Sequence, residues 1–370
     1  MNESKRHIVF VLQRLQTGGA ERQVSYLASY LQNQNNKVSV VYFGTAKPEA
    51  AKWFQERNLT IIPIGFNEKL LFQNKGSFAF RLKKKYLLLK LFLFFKRLQP
   101  TTVLPFTYEP NILLGRYWKF TCAQACIWNQ RDVGLYFSGT TFEKKALMNC
   151  SHWAANSPAS AAFLQQQGIK TMTVIPNAVP LLQKQAASPG ASIRVLMIGN
   201  LHVNKDHITL LRAWKLVMEQ NKGADLQLLL AGGSGNNEVT VRQFIKEEQL
   251  EDSVQLLGLV SDIQQLIATA TIGVLSSKAE GLPNAVLECM AGGLPVVATN
   301  NEGCRFALGN EYPFLSSVDD AVGLAEHLVS LIHSSELRLF WGQYNHKRIA
   351  EHFSEKKMGE AFRDMIEQLQ

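Results

Sequence analysis

The amino-acid sequence predicts an α/β protein built from two doubly wound parallel sheets in tandem, and three observations support this. Short apolar or β-branched runs alternate with longer amphipathic stretches along the whole chain, as in parallel strands joined by crossover helices. The 370 residues suffice for two domains of ordinary size. Residues 183–192 lack apolar periodicity and include Ser188, Pro189 and Gly190, which predicts a linker between the domains.

The apolar runs that predict strands form two series, one on each side of this linker. In the first domain, over residues 1–182, they occupy residues 8–12, 38–43, 60–64, 103–106, 125–128 and 172–175. In the second domain, from residue 193 onward, they occupy residues 193–198, 226–231, 254–257, 272–275 and 295–298. Because ligands bind doubly wound sheets at the carboxyl ends of the strands, we expect functional residues in the loops that follow these runs.

The composition excludes several other classes of protein. With 46% hydrophobic and 19% charged residues, the chain is neither disordered nor a disulfide scaffold. The run at residues 8–12 is too short for a signal peptide, and residues 86–95, interrupted by Lys90, are too few for a membrane span. The five cysteines have no CxxC spacing, so we expect reduced thiols in a cytosolic protein and no metal site.

The net charge of +9 is divided unevenly along the chain. Residues 1–185 carry 24 Lys and Arg against 8 Asp and Glu, a net charge of +16. Residues 186–370 carry 15 against 22, a net charge of −7. This asymmetry indicates that the first half faces a polyanion, which is either nucleic acid or an anionic membrane surface.

Glycine-marked loops follow three of the predicted strands. Gly18 and Gly19 follow the first strand, Gly199 the seventh, and residues 232–235 (Gly-Gly-Ser-Gly) the eighth. Glycine in such a loop lets backbone N–H groups approach an anion. None of the three fits a GxGxxG or P-loop pattern, and a simple turn is the alternative explanation of each.

The most informative segment is residues 276–299, which read as a strand end, a loop, a short helix and the next strand. Pro283 suits the first position of the helix and Gly292 its exit. Glu280 then lies in the loop before the helix, and Glu288 lies in its second turn.

The two glutamates of this segment flank a potential anion site. The free N–H groups at the helix start, residues 282–284, favour a phosphate. Ionised carboxylates accept hydrogen bonds from hydroxyls, so Glu280 and Glu288 suit a ligand with hydroxyls at both ends of a diphosphate, such as a nucleotide sugar. The alternative is a pair of ordinary helix and surface residues, but the apolar neighbours of Glu288 favour a partner or ligand for it.

The segment EGLPNAVLECMAGGLPVVAT, residues 280–299, resembles the signature of the retaining GT-B glycosyltransferases of glycosyltransferase family 4. Further similar segments follow in the family's order: GGAER at 18–22, VIPNAV at 174–179, IGNLHVNKDHITLLRAW at 198–214, LLLAGGSG at 228–235, VQLLGLVSD at 254–262 and HFSEKKMGEAFRDMI at 352–366. The resemblance implies the GT-B fold, in which two Rossmann-like domains face each other across a cleft. It implies an acceptor-side first domain, a nucleotide-sugar-binding domain at 193–350, and a C-terminal helix at 351–370 that packs back on the first domain.

The resemblance also implies roles for individual residues. Glu280 would contact the donor sugar, Glu288 the nucleotide ribose and Lys205 the diphosphate, with Glu280 and Lys205 as the catalytic residues. Asn200 stands where relatives have an arginine. The missing charge would come from His202 or an arginine of the first domain, or Lys205 and helix dipoles would act alone. The remaining expected donor contacts are Gly19, Gly281, Leu282, Pro283 and Asn284.

The acceptor side carries less specific signals. Relatives have a histidine after the fourth strand of the first domain, where this chain has Thr-Tyr-Glu-Pro-Asn at residues 107–111. Glu109 or Asn111 would bind hydroxyls of the donor or acceptor, or else only cap the loop. Arg131 and Asp132 follow the fifth strand. A surface ion pair between these two residues is the favoured interpretation, and binding of the acceptor by Arg131 is the alternative.

A basic segment, residues 81–97, holds seven cations and no acid. One interpretation is attraction to an anionic bilayer, at about 1 kcal/mol per basic residue near the surface. Projection onto a helix at about 100° per residue scatters the cations around the axis, so a packed helix with solvated lysines is an equally good interpretation.

The resemblance implies a glycosyltransferase that retains the anomeric configuration and needs no metal ion, and we expect it to be of hexosyl or N-acetylhexosaminyl type. The donor would be a nucleotide sugar such as a UDP- or GDP-sugar, with no other cofactor, and the acceptor a growing glycan, lipid-linked as in lipopolysaccharide, capsule or exopolysaccharide synthesis. We expect a cytoplasmic protein, peripheral at the inner face of the cytoplasmic membrane, that meets an anionic membrane surface and no nucleic acid. The alternatives are a nucleic-acid-binding module that uses the basic half, and a GT-B sugar-nucleotide epimerase or phosphorylase.

Overall fold

The computed structural model describes residues 6–66, 71, 78–182 and 192–369, and the chain forms two compact units. The first unit comprises Met1–Ala178 and Glu355–Gln370, and the second comprises Val179–Ser354. These divisions fall four residues before the expected end of the first domain, residue 182, and four after the expected end of the second, residue 350. The predicted linker, residues 183–192, lies outside the described residues except for Ser192.

Among the described residues, seven parallel strands form the sheet of the first unit, in the spatial order β3-β2-β1-β4-β5-β6-β7. Their bounds are β1 His7–Leu12, β2 Lys37–Tyr42, β3 Thr60–Pro63, β4 Thr102–Pro105, β5 Ala125–Gln130, β6 His152–Ala155 and β7 Thr173–Val174. The order reverses between β1 and β4, which is the switch point of a doubly wound sheet. The sequence did not predict β6, because His-Trp-Ala-Ala contains no β-branched run.

Helices cover both faces of this sheet. Their bounds are α1 Gly19–Asn33, α2 Pro48–Gln55, α3 Phe78–Leu98, α4 Tyr108–Tyr117, α5 Thr141–Met148 and α6 Pro158–Gln166. Every residue of β1 is buried. Ile8 and Phe10 pack into the core on one face, and Val9 and Val11 into the core on the other, as the alternation of side chains along a strand requires.

Among the described residues, six parallel strands form the sheet of the second unit, in the order β10-β9-β8-β11-β12-β13. Their bounds are β8 Ile193–Ile198, β9 Leu226–Ala231, β10 Val254–Gly258, β11 Ile272–Leu275, β12 Val296–Thr299 and β13 Leu315–Ser316. The helices of this unit are α7 His207–Gln220, α8 Glu238–Glu247, α9 Ile263–Thr269, α10 Asn284–Ala291, α11 Glu302–Leu308, α12 Ala321–His333 and α13 Ser335–His352. The switch point lies between β8 and β11, so the loops after these two strands are neighbours.

The last helix, α14 Glu355–Glu367, belongs to the first unit. Met358 and Phe362 are buried in the same core cluster as Leu27 of α1. The backbone of Gly359 lies so close to the ring of Tyr30 that a Cβ there would stand 2.2 Å from the ring. Helix α14 therefore packs tightly on α1 and completes one face of the first sheet.

Helix α3 carries two apolar faces. Leu87, Leu91 and Phe95 are buried against the sheet. The large exposed hydrophobic residues of the helix are Phe78, Leu82, Tyr86, Leu89 and Leu93. At about 100° per residue these five occupy an arc of roughly 80° on the side opposite the buried residues. In the same projection five of the seven cations of residues 81–97 lie on the two sides of this stripe, whereas Lys96 lies within it and Lys84 on the buried side.

Candidate active site

The loop after β8 presents Lys205 at the carboxyl end of the second sheet. Lys205 ends a one-turn 3₁₀ helix, Val203–Lys205, and Asp206 follows in the left-handed conformation with φ of 48°. The Asp206 carboxylate caps α7 by accepting hydrogen bonds from Thr209 N at 3.4 Å and Thr209 Oγ1 at 2.7 Å. The sharp turn and the cap together fix where the Lys205 side chain starts.

Lys205 forms an ion pair with Glu280, which lies in the loop after β11. Lys205 Nζ lies 2.5 Å from Glu280 Oε1, and the side chains are 25% and 13% exposed. The structure thus brings together the two residues expected to be catalytic, within one unit. Partial burial strengthens the interaction between the charges relative to a fully solvated pair.

Hydrogen bonds hold the Glu280 loop against its neighbours. Asn204 Nδ2 donates to Ala279 O at 2.9 Å, and Thr299 Oγ1 donates to Ser277 O at 2.5 Å. The start of α11 packs directly on this loop, because a Cβ on Gly303 would stand 2.6 Å from Glu280 O. The backbone that carries Glu280 is therefore positioned from three sides.

Helix α10 begins at Asn284, one residue later than the sequence predicts. Pro283 is its N-cap, with an extended ψ of 109°, and its carbonyl accepts the first helical bond from Leu287 N at 3.2 Å. Gly281, Leu282 and Pro283 are buried, whereas Glu288 is half-buried on the helix. Burial and the nearby Glu288 charge raise the pKa of the Cys289 thiol well above its ordinary value. The donor contacts expected on this loop and helix therefore share one edge of the second sheet.

Asn200 joins two glycine-marked loops. Its Oδ1 accepts a hydrogen bond from Gly233 N at 2.8 Å. A Cβ on Gly232 would stand 2.0 Å from Gly199 O, and one on Gly235 would stand 2.3 Å from Leu201 O. These glycines therefore allow the loops after β8 and β9 to touch. This reason for glycine differs from the two considered from the sequence, which were binding of an anion by backbone N–H groups and a simple turn.

His207, the first residue of α7, is a polar group of this region that the sequence analysis missed. Its side chain is fully buried, and neither ring nitrogen has a hydrogen-bond partner among the described residues by distance and angle. Burial lowers the pKa of His207 to about 4, so the imidazole is neutral at pH 7. Its position directly after Asp206, the N-cap of α7, was the one feature of the sequence that could have pointed to it.

The first unit places Gly19 at the start of α1, after β1. Glu21 folds back toward the preceding loop, where its Oε1 accepts a hydrogen bond from Gln16 N at 3.3 Å. A Cβ on Gly18 would stand 2.5 Å from Glu21 Oε2, so the carboxylate fills the space above this glycine. Burial raises the pKa of Glu21 to about 7. The sequence motif GGAER contained this glutamate, but its burial was not apparent.

The acceptor-side residues Glu109 and Asn111 lie on α4 in different environments. Asn111 is buried and bridges to β5, since its Nδ2 donates to Asn129 O at 2.8 Å and its Oδ1 accepts from Asn129 N at 3.2 Å. Glu109 is half-exposed in the first turn of the helix. Asn111 thus links α4 to the end of β5, and Glu109 remains partly exposed.

Arg131 does not form the expected surface ion pair with Asp132. The Asp132 carboxylate accepts hydrogen bonds from Gly134 N at 2.6 Å and from Gln130 Nε2 at 3.1 Å. Arg131 turns inward, where its Nη2 donates to Asn177 Oδ1 at 2.6 Å. The interpretation as an ion pair was wrong because the turn after β5 uses the Asp132 carboxylate to satisfy its own backbone N–H groups.

The described part of the chain offers neither a cluster of metal ligands nor a membrane-spanning helix. It contains no group of three or more His, Cys, Asp or Glu side chains arranged to hold a metal ion. No helix within it is both long and apolar enough to cross a membrane. All five cysteines lie in this part of the chain and are free thiols.

Two family profiles match the chain. The profile described as Glycosyltransferase Family 4 matches residues 17–182, and the profile described as Glycosyl transferases group 1 matches residues 192–334. An uncharacterized glycosyltransferase of Haemophilus influenzae is 26% identical over 347 residues, which cover 89% of this chain and 91% of that protein. The N,N'-diacetylbacillosaminyl-diphospho-undecaprenol alpha-1,3-N-acetylgalactosaminyltransferase of Campylobacter jejuni is 33% identical over 151 residues, 38% of this chain and 39% of that protein.

A solved structure agrees with the fold. The crystal structure of Anabaena Alr3699/HepE in complex with UDP and glucose matches with a TM-score of 0.83 at 18% identity, covering 98% of this chain and 100% of that one. The two parallel sheets with alternating helices are those of the GT-B fold, as the sequence predicted. With both profiles matching in order along the chain, this protein belongs to the glycosyltransferases of family 4, the group 1 glycosyl transferases.

Proposed function

We propose that this protein transfers a hexose or N-acetylhexosamine, with retention of the anomeric configuration, from a UDP- or GDP-sugar to a growing lipid-linked glycan. The observation that carries the proposal is the Lys205–Glu280 ion pair at the carboxyl edge of the second sheet. Glu288 and the start of α10 lie on the same edge. The presence of UDP and glucose in the HepE crystal structure, which has the same fold, supports a nucleotide-sugar donor.

The chemistry assigned to Lys205 follows from its charge. Transfer breaks the bond between the anomeric carbon and a diphosphate oxygen, which leaves with the electron pair. The acceptor hydroxyl oxygen forms the new bond, and its proton passes to the departing diphosphate oxygen. Negative charge grows on the diphosphate during this step, so a fixed ammonium group stabilises the transition state more than the bound substrate. The reaction as proposed requires neither a metal ion nor a further cofactor.

Glu280 has a second role in this proposal. Without donor, Glu280 neutralises Lys205 at 2.5 Å. When a diphosphate takes over as the partner of Lys205, the Glu280 carboxylate becomes available to accept hydrogen bonds from sugar hydroxyls. Glu288 would accept from the ribose in the same way. The ion pair thus holds the Lys205 and Glu280 side chains in place in the unliganded site.

The proposed acceptor is attached to a lipid, and the protein acts at the inner face of the cytoplasmic membrane. The name of the Campylobacter jejuni relative includes a diphospho-undecaprenol-linked sugar, which supports a lipid-linked acceptor of the kind used for lipopolysaccharide, capsule or exopolysaccharide. The exposed apolar stripe of α3 with its flanking cations supports contact with an anionic bilayer. Five free thiols suit a reducing compartment.

A thermal-shift panel of UDP- and GDP-sugars tests the donor assignment. A donor that binds the native state raises the melting temperature by mass action, and we expect one nucleotide series to do so. The donor so identified is then incubated with a diphosphoprenyl-linked sugar, and the products are separated by chromatography. A new glycolipid whose anomeric configuration matches the donor supports the proposal.

Other outcomes of the same experiments would contradict it. Conversion of the donor to an epimer without transfer would indicate an epimerase. Release of sugar phosphate from an existing glycan by inorganic phosphate would indicate a phosphorylase. Salt-sensitive retention on DNA without binding of any nucleotide sugar would indicate a nucleic-acid-binding protein.

A further inference from the structure

Arg131 lies half-buried at the carboxyl edge of the first sheet, against an aromatic ring and without a carboxylate partner among the described residues. The residue directly follows β5, and its Cζ lies 4.4 Å from the centroid of the Phe106 ring, which directly follows β4. The guanidinium donates one hydrogen bond to a described residue, from Nη2 to Asn177 Oδ1 at 2.6 Å. Asn156 Nδ2 donates to the Arg131 carbonyl at 3.1 Å and fixes the backbone.

No described carboxylate compensates this charge. Among the described residues no acidic side chain lies within ion-pair distance of Arg131, and the neighbouring Asp132 is engaged in its own turn. Burial is the cause that lowers the pKa of Arg131, to about 9, so the group is still charged at pH 7. Arg131 is half-buried, and a partly desolvated charge is normally paired because removing an ion from water is costly. A cation held in place without a counter-ion is therefore the expected signature of a site for an anionic ligand.

Two further polar groups on this edge lack partners. Asn129 Nδ2 and Thr107 Oγ1 are buried, and neither has a hydrogen-bond partner among the described residues. Asn129 is the last but one residue of β5 and lies two residues before Arg131 in the chain. Thr107 directly follows Phe106, on whose ring Arg131 rests. Unused hydrogen-bonding capacity thus lies at the carboxyl ends of β4 and β5, the two strands directly followed by Phe106 and Arg131.

We propose that Arg131 binds a phosphate group of a substrate, with its guanidinium held for this purpose between Phe106 and Asn177. This rests on the proposed function, in which phosphate has two sources: the diphosphate of the nucleotide sugar and the diphosphate that links the acceptor glycan to its lipid. A guanidinium presents parallel N–H donors that match two phosphate oxygens. The aromatic face and the asparagine fix the orientation of the fork while leaving its other donors for the ligand.

The test is calorimetric binding of inorganic pyrophosphate, UDP and farnesyl diphosphate to the full-length protein and to Arg131→Gln. We expect Arg131→Gln to weaken pyrophosphate binding at least about tenfold, as loss of a charge-assisted hydrogen bond does. Arg116→Gln, which removes another arginine beside an aromatic ring of the first unit, should bind like the wild type. If the loss extends to UDP, the donor is the source of the phosphate. If it extends to farnesyl diphosphate instead, the lipid-linked acceptor is the source.

Equal binding of all three ligands by the wild type and Arg131→Gln would overturn the inference, as would a wild type that binds none of them. If Arg131→Gln does not fold, Arg131→Lys decides the matter. It keeps the charge but not the fork, so we expect weaker pyrophosphate binding at an unchanged melting temperature, and undiminished binding would be contrary. Since binding is measured without turnover, a wild type that binds pyrophosphate through Arg131 but transfers no sugar would contradict the proposed function alone.

Discussion

Lys205 Nζ and Glu280 Oε1 lie 2.5 Å apart, although 75 residues separate them in the sequence. The contact exists because β8 and β11 are neighbours in the sheet and their loops leave the same edge. Ser276 Oγ strengthens the link by donating to the Lys205 carbonyl at 3.0 Å. A switch point of the fold thus brings an ammonium and a carboxylate together where a diphosphate sugar is proposed to bind.

Lys205→Ala and Glu280→Ala should each lower the turnover number at least about a hundredfold, the usual cost of losing a group that stabilises transition-state charge. Both variants should fold, because neither side chain contributes to the hydrophobic core. The measurement is steady-state transfer together with a melting curve. Near-normal turnover in either purified variant would refute the site assignment.

A second ion pair in the same unit supplies the matched control for these variants. Lys215 Nζ lies 2.5 Å from Glu248 Oε2, with side chains 45% and 31% exposed. Lys215→Ala removes an ion pair with the same N–O distance, at a place outside the proposed donor site. It should leave turnover unchanged, so any general effect of breaking such a pair appears in the control.

Two variants, Asn200→Ala and Asn200→Asp, distinguish the hydrogen bond that Asn200 makes within the protein from the effect of charge at residue 200 on nucleotide binding. Alanine removes the acceptor for Gly233 N, and we expect a loss of about 1 kcal/mol in the free energy of unfolding. Aspartate keeps an acceptor oxygen, so stability should be retained. It adds a negative charge beside the proposed diphosphate, so the Kd for UDP should rise. Denaturant unfolding and nucleotide titration give the two readouts, and equal stability of both variants would be the contrary result.

Gly232→Ala should destabilise the protein by roughly 2 kcal/mol, because the added methyl group overpacks the contact between the two glycine-marked loops. A Cβ at residue 232 would stand 2.0 Å from the Gly199 carbonyl oxygen, and backbone cannot yield there without moving the loop. Gly199→Ala is the control, since its Cβ would meet side-chain carbons of Lys205 at 3.6 Å and of Met197 at 3.8 Å, which are ordinary contact distances. Chemical denaturation of both variants checks the difference, and equal midpoints would show that the loops are not in close contact.

The sequence pointed to Lys205 and Glu280 through the resemblance of their segments to the family's motifs, and the structure pairs these two residues. It did not predict contacts that depend on how loops distant in sequence meet. The contact between Asn200 and Gly233 depends on the approach of two loops that are distant in sequence, which periodicity does not report. The orientation of Arg131 likewise depends on whether the Asp132 carboxylate accepts hydrogen bonds from Arg131 or from the backbone N–H groups of the turn after β5. In the structure it accepts from the turn.

The strands show the same division between local and tertiary information. Runs such as residues 226–231 matched their strands because a buried parallel strand needs a continuous apolar run. Strands β6 and β13 lack such runs, and their pairing with β5 and β12 makes them strands. Their existence is a consequence of the sheet rather than of local sequence, so only the assembled fold reveals them.

Glu21→Gln should remove a pH dependence of stability. Burial raises the pKa of this carboxyl from its ordinary 4.5 to about 7 in the folded protein. The folded state therefore holds the proton more tightly than the unfolded state, and stability falls as pH rises from about 4.5 to about 7. Glutamine cannot ionise, so the variant should be more stable than the wild type at pH 8, by up to about 3 kcal/mol. The two proteins should differ little at pH 4.5.

Melting curves of the wild type and Glu21→Gln at pH 5 and pH 8 test this prediction. Glu49→Gln removes an exposed carboxylate from the first turn of α2 and should behave like the wild type at both values. Parallel pH dependence in all three proteins would mean that Glu21 does not hold its proton in the folded state.

Leu89→Ser combined with Leu93→Ser should weaken binding to anionic vesicles without lowering stability. The two side chains are 55% and 46% exposed and lie in the apolar stripe of α3. Beside them a groove of about 440 Å³ runs between β3 and α3, bordered by Ile62, Lys90 and Arg97. Apolar side chains flanked by cations gain from both the acyl boundary and the anionic headgroups, and each basic residue near the surface contributes about 1 kcal/mol.

The measurement is co-flotation of the protein with vesicles of phosphatidylglycerol and phosphatidylethanolamine at low and high salt. Wild-type protein should float at low salt and release as salt is raised, since screening removes the attraction of the lysines and arginines. Leu339→Ser combined with Phe340→Ser changes two equally exposed apolar residues of α13, in the acidic half, and should float like the wild type. If the stripe variant floats as well as this control, the face of α3 does not meet the bilayer. If the wild type itself ignores anionic vesicles at low salt, the positive charge of the first half serves another purpose.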